Sequence, residues 1–294
     1  MILTRRGLIN AALLLMAAIL AWVLWHKPAS PPPAPPARLA PVKGATITNI
    51  TIARPGRPVI RLQRDGARWR LLHPLKARAD RFRVEALTDI VAAKPHDHFA
   101  IPKGSLAAFG LAPPRAVVSL NHERILVGRR RPFGDLRYVL IGHSIALVSA
   151  ESIHPRRLTT DSFLSTKLLG GRIHPVAFAL PRLAVVRHRG IWRATPTPAH
   201  VSNDHINAFV DAWRYARALS VTRYHGTPPI GRIVIRYNER GPKKAASRRH
   251  TLAIDILATH PELVLLRPDQ GLEYHFPQQV GQHLLTLATH AGTP

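Results

Sequence analysis

The most metal-like feature of this 294-residue sequence is the triplet His96-Asp97-His98. On a strand its two imidazoles would share a face and could grip one ion, because alternate strand residues point the same way. A useful site needs a third ligand, and no His-x-x-x-His or Glu-x-x-His lies nearby. The triplet reads as a solvated loop, and no metal site is expected. Carboxylates are scarce, with 16 Asp+Glu in the chain. Asp80 and Asp204 read as first-turn helix residues, Asp80 being the cap, while Asp65 and Asp269 sit ahead of glycines in turns. Asp255 differs, lying inside the apolar run Leu252 to Leu257. Buried, it would need a partner, so an edge-strand position facing water is expected. No nucleophile elbow, phosphate-cradling glycine loop or paired acid and base is found. The chain has no Cys, which excludes thiol catalysis, disulfides and Cys-held zinc or iron–sulfur clusters. No catalytic residue and no cofactor is expected.

Positive charge is the one plentiful resource. Lys+Arg number 42, giving a formal charge of +26. Such a field attracts polyanions through counterion release. The dense groups are Arg129, Arg130 and Arg131, then Arg156 and Arg157, then Arg248 and Arg249. All read as lying in or beside loops, and they are the candidate anion-binding residues. Arg129 to Arg131 and Lys243 to Arg249 are expected in corresponding inter-strand loops of two copies of one plan. An arginine-rich composition, or an acidic exterior in which the 17 His also charge, would give the same surplus without a ligand.

The amino terminus decides where that charge sits. Leu8 to Trp25 is uncharged, with Asn10 its only conventionally polar member. As a helix it would reach about 27 Å, close to bilayer thickness. Arg5 and Arg6 precede it and Trp22 and Trp25 close it, which places the terminus in the cytoplasm and the rest in the periplasm. The alternative is a cleaved signal, since Thr4-Arg5-Arg6-Gly7-Leu8-Ile9 resembles a twin-arginine export motif. Against cleavage, His26-Lys27-Pro28 offers no small-x-small site. From Pro28 to Pro41 prolines alternate with alanines, a polyproline-like spacer.

The remainder reads as one plan used twice. Val59 to Arg64, Asp65-Gly66 and Arg68-Trp69-Arg70-Leu71 make a hairpin; Ala184 to Arg189, Gly190 and Ile191-Trp192-Arg193 make another. Trp69 and Trp192 are 123 positions apart. Asp80 then caps a helix that buries Val84, Leu87 and Val91; Ser202 caps one that buries Ile206, Phe209, Val210 and Trp213. The caps are 122 apart. After Pro113-Pro114 and Pro228-Pro229 come further strands: Val117 to Leu120, Ile125 to Val127, Tyr138 to Ile141 and Ile145 to Val148, against Ile233 to Tyr237, Leu252 to Leu257, Leu263 to Leu266 and Leu272 to Phe276. The expected class is α+β, each repeat an antiparallel sheet with one main packed helix. The boundaries are 1–27 for the cytoplasmic end and transmembrane helix, 28–45 for the spacer, 46–165 and 172–290 for the repeats, 166–171 for a linker containing Gly170-Gly171, and 291–294 for a tail. Trp69, Trp192 and Phe109-Gly110-Leu111 are expected to pack rather than bind.

Several of these segments together resemble a known family. They are the anchor, Gly66-Ala67-Arg68-Trp69-Arg70, the Ala79-Asp80 helix start, Leu106-Ala107-Ala108-Phe109-Gly110-Leu111-Ala112-Pro113-Pro114 and the Arg137-Tyr138-Val139 strand. They are similar to domain-of-unknown-function family 4340, bacterial membrane-anchored proteins. The likeness is strongest over 46–165 and weaker in the second copy, where the Phe-Gly-Leu element before Pro228-Pro229 is missing. It implies an anchor and a repeat, hints at an accessory of a transport assembly, and brings no catalytic residue.

The expected function is that of a non-enzymatic binding or scaffold protein of the envelope, held by lipid around its amino-terminal helix and engaging a protein partner. A polyanion-binding module using the loop arginines is the alternative, its ligand being anionic lipid or envelope polymer rather than nucleic acid. An unrecognised hydrolase is the third reading. A reporter that works only outside the cytoplasm, fused after Pro294, is expected to be active; activity of a cytosol-only reporter there would reverse the topology.

Overall fold

Both repeats follow from alternating apolar residues closed by turns that tolerate positive φ. The computed structural model describes residues 14–22, 38–40, 43–101, 106–197, 201–239 and 249–287. In the first hairpin, β2 (Arg57–Asp65) turns through Gly66, at φ +60°, into β3 (Arg68–His73), with Asp65 paired to Arg68. In the second, β11 (Leu183–His188) turns through Arg189 and Gly190, both at positive φ, into β12 (Ile191–Thr195). A two-residue turn with both φ positive matches the right-handed twist of the flanking strands.

Around these hairpins each half builds the same sheet. The first half adds β1 (Asn49–Arg54), β4 (Ala77–Arg78), β5 (Asp97–Ala100), β6 (Ala116–Leu120), β7 (Glu123–Arg130), β8 (Leu136–Ile141) and β9 (Ser144–Ser149). The second adds β10 (Ile173–Leu180), β13 (Ser220–Arg223), β14 (Gly231–Glu239), β15 (Arg249–Ala258), β16 (Leu263–Arg267) and β17 (Leu272–Phe276). The strand orders are β4-β3-β2-β1-β6-β7-β8-β9-β5 and β12-β11-β10-β14-β15-β16-β17-β13. Without β4 the two orders coincide, and every pairing is antiparallel. The α+β expectation therefore holds. Sequence reading passed over β1, β10, β5 and β13, of which β5 holds Asp97 and His98 of the histidine triplet.

Helix α1 (Arg81–Thr88) and the 3-10 turn Asp89–Ala92 bury Val84, Leu87 and Val91; Asp80 caps the start by accepting from the Arg83 N–H at 3.1 Å. Helix α2 (Asn203–Tyr215) buries Ile206, Phe209, Val210 and Trp213 behind a Ser202 capping box. A third helix, α3 (Gln278–Leu285), was not legible in the sequence. It locks onto α2 through Trp213, whose Nε1–H donates to the Leu284 carbonyl at 2.9 Å. Gly281 lets the same helix lie close against β16, since a Cβ there would lie 2.6 Å from Leu263 Cβ. Phe109, Gly110 and Leu111 form a packed turn over the far face of the first sheet, with Phe109 edge-on to Tyr138.

Arg38–Pro294 form one compact unit, and one contiguous apolar cluster runs from Leu39 to Leu284 through both sheets. The segment between the sheets is paired on both sides. Ser165 N–H donates to Arg78 O and Asp80 N–H to Phe163 O, while Leu168 N–H donates to Ala216 O and Ala218 N–H to Thr166 O. The joining chain is thus a splint hydrogen-bonded to each half. Met1–Ala37 form a separate unit, whose described part is a helical stretch at 14–22. Among the described residues no helix is long and apolar enough to cross a membrane. The expected span, Leu8 to Trp25, lies half outside them, at 8–13 and 23–25.

Trp213→Phe keeps the apolar bulk but strands the Leu284 carbonyl in the core. Chemical unfolding should show a loss of about 1–3 kcal/mol, whereas an unchanged midpoint would mean that α3 is not held through this bond.

Candidate functional site: a cationic groove

Where the splint meets both halves, a groove of about 660 Å³ opens. The β3–β4 region contributes Arg68, Arg70, Lys76 and Arg78, and the start of α1 contributes Arg81. Lys167 and Arg172 come from the joining chain, Arg217 and Arg267 from the second half. Against these nine cations stands one acidic lining residue, Asp80, already occupied as a helix cap. Apolar side chains fill the spaces between, among them Leu72, Phe82 and Ile173.

Arg70, Arg81 and Arg267 are among the cations with carboxylate partners just outside the lining. Arg70 meets Asp65 at 3.4 Å, Arg81 meets Glu85 at 2.6 Å, and Arg267 binds Asp269 through Nε and Nη2 at 2.9 and 2.8 Å. Arg267 is only 4% exposed, and its Nη1 donates to Leu168 O at 2.6 Å. Arg78 reaches the same carbonyl from the other half: its Nη2 donates to Lys167 O at 2.7 Å and to Leu168 O at 3.1 Å. It also packs against Gly170, where a Cβ would come within 3.2 Å of Nη1. Gly170 therefore leaves room for a guanidinium, which the sequence could not disclose.

The electrostatics are uneven. Desolvation, only partly offset by Tyr274 and reinforced by the neighbouring Arg267 charge, pulls Arg78 below the ordinary guanidinium value. Among the described residues it has no carboxylate in ion-pair contact; its direct partners are the Lys167 and Leu168 carbonyls and the Tyr274 side chain. At Asp269, burial pushes the carboxyl up, but the Arg267 hydrogen bonds and charge outweigh it and hold the group below the usual carboxylate value.

None of the described loop arginines lines the groove. Arg129 and Arg130 end β7 and Arg131 follows it, all exposed, with Arg130 paired to Asp135 at 2.8 Å. Arg156 and Arg157 lie in the exposed turn Pro155–Arg157, with Arg157 paired to Glu151 at 2.9 Å. Arg249 opens β15 and is exposed; Arg248 lies outside the described residues. The expected correspondence of loops is also corrected. Arg129 to Arg131 sit at the β7–β8 connection, whereas Lys243 to Arg249 lead from β14 to β15, which matches β6 to β7.

Asp255 is a second correction. It is 4% exposed on β15, an interior strand, rather than on an edge. Its partner is Arg232, directly opposite on β14, bonded through Nε and Nη2 at 2.6 and 3.3 Å. The pairing satisfies the buried carboxylate while the arginine stem reaches toward solvent.

On the far face of the second sheet lies a polar cluster that no sequence pattern announced. His275 Nδ1 is 2.8 Å from Glu262 Oε1, and its Nε2 is 3.1 Å from Thr222 Oγ1 and 3.7 Å from Glu273 Oε2. With Nδ1–H given to Glu262, Nε2 accepts from the Thr222 hydroxyl in the neutral tautomer. The His225 N–H donates to Glu273 Oε1 at 3.0 Å. By strand order and register the first sheet places Phe99 and Ile145 where the second has Thr222 and Glu273. None of these polar residues lines the groove. No group of three His, Asp or Glu side chains that could hold a metal ion, around His96, Asp97 and His98 or elsewhere, occurs among the described residues.

The Asp269 pairing carries a pH signature. Its folded pKa is depressed, so its contribution is complete above the unfolded value of about 4 and is lost as the pH falls through the lower folded value. Thermal melts between about pH 5 and pH 2 should therefore fall less steeply for Asp269→Asn than for the wild type; parallel slopes would show that the pair carries no such linkage. No protein-family model, curated protein or solved structure matches this chain, so the groove stands on its own chemistry.

Proposed function

We propose that this protein works by binding, as a membrane-anchored component of the cell envelope whose ligand is an anion held in the groove between its two halves. One observation carries the reading: nine cations line the groove against one capping carboxylate, and Arg78 among them is half-buried with no carboxylate in ion-pair contact among the described residues. A guanidinium taken out of water and held by two carbonyls and the Tyr274 hydroxyl, with Asp269 nearby but not in ion-pair contact, is short of negative charge, and an entering phosphate or carboxylate supplies it through charge-assisted hydrogen bonds. The exposed cations at the rim, Arg68, Lys76 and Arg217, would draw such a ligand in from solution.

The apolar run Leu8 to Trp25 would hold the body at a bacterial inner membrane, with the folded halves in the periplasm. There the available polyanions are lipid headgroups and envelope polymers rather than nucleic acid. An accessory role in a transport or envelope assembly fits that position. The groove arginines replace the loop arginines as the anion-binding set, since loop cations with carboxylate partners and full hydration gain little from a ligand.

The test is a titration of the full chain, in neutral detergent, with inorganic polyphosphate. Joint Arg68→Glu and Arg217→Glu should weaken binding by about tenfold or more, while joint Arg129→Ala and Arg156→Ala should leave it unchanged. Wild-type affinity should also fall as salt rises. Equal affinity in the groove variant and the wild type would end the reading.

A further inference from the structure

The first turn of α1 runs against what a helix of this kind should contain. Arg81, Phe82 and Arg83 open it, with no acidic residue in the turn. Cations there oppose the helix dipole, and carboxylates are the stabilising choice. The second copy makes that choice: by the 122-residue offset of the caps, Phe82 corresponds to Asp204, the acidic first-turn residue of α2. Phe82 is 70% exposed, so packing does not explain it either. Leu72 is 40% exposed, and both side chains line the groove. Two apolar groups are thus left in water beside a row of cations, and the second copy has Asp204 in place of Phe82.

Resting on the anion-binding reading above, we infer that the groove takes an anionic amphiphile: a phosphate-bearing headgroup among Arg68, Arg78 and Arg217, with adjoining hydrocarbon against Phe82 and Leu72. A soluble polyanion uses the cations and leaves Phe82 and Leu72 wet. A phospholipid uses both chemistries, because transferring hydrocarbon onto exposed apolar side chains is favourable in proportion to the area covered. It is also the anionic molecule nearest to a body tethered by an apolar segment. The charge complementarity selects anionic over zwitterionic headgroups, since a choline ammonium would be set among like charges.

Native mass spectrometry of the full chain, released from neutral detergent micelles doped with equal phosphatidylglycerol and phosphatidylcholine, separates the possibilities. Wild type should retain phosphatidylglycerol in preference. Joint Phe82→Ser and Leu72→Ser should lower that retention by about fivefold while leaving inorganic polyphosphate affinity within about twofold of wild type. Phe82→Leu, which keeps the apolar contact, should retain the lipid. Joint Arg68→Glu and Arg217→Glu should lower both lipid retention and polyphosphate binding. Unchanged lipid retention in the Phe82 and Leu72 variant overturns the amphiphile and leaves the anion groove standing. Charge reversal that alters neither ligand overturns both.

Discussion

Arg78 and Arg267 come from opposite halves of the chain, and both donate to the Leu168 carbonyl, at 3.1 and 2.6 Å. Two guanidiniums on one oxygen repel each other, and burial strengthens the repulsion by removing water's screening. Asp269 offsets it by direct hydrogen bonds to Arg267 and only at longer range at Arg78. The arrangement is thus a clamp and a surplus of charge at once. As a clamp it fixes the joining chain between the sheets; as a surplus it prepares the floor of the groove for a negative guest. Fold and proposed function meet in the same four groups.

The duplicated plan makes its own control. Strand order is shared by the halves, so positions where they differ are positions where packing alone does not decide. Phe82 against Asp204 is one such difference, beside the groove. The polar cluster of Thr222, His275, Glu262 and Glu273 is another, replacing an apolar patch that the first half covers with Phe109 and Leu111. The second copy lacks the Phe-Gly-Leu element; there Tyr224 packs against the smaller apolar cluster of Leu257, Val264 and Leu266, and hydrogen-bonded polar residues stand beside it.

Much of the architecture was legible because it is local. Asp65-Gly66 and Arg189-Gly190 between alternating apolar runs specify hairpins, and Asp80 and Ser202 ahead of a 3.6-residue apolar period specify capped helices. The groove was not legible, because its cations are single residues scattered from Arg68 to Arg267 and topology alone assembles them. Dense arginine runs were the visible signal, and they mark exposed strand ends and turns where charge is cheap to keep. Asp255 was misplaced for a related reason: its partner Arg232 is 23 residues away, adjacent only once β14 and β15 pair.

The central claim is that the two arginines act together on one carbonyl, which a double-mutant cycle measures directly. Unfolding free energies of the wild type, Arg78→Gln, Arg267→Gln and the double variant give the coupling. Mutual repulsion alone would make the double variant lose more than the two single losses combined, whereas with a shared clamp the joining chain is already loosened once either arginine is gone. The clamp outweighs the repulsion, so the double variant should lose less than the sum, by about 1 kcal/mol or more. Losses that add within about 0.5 kcal/mol would mean that the guanidiniums act independently and that no shared clamp underlies the groove.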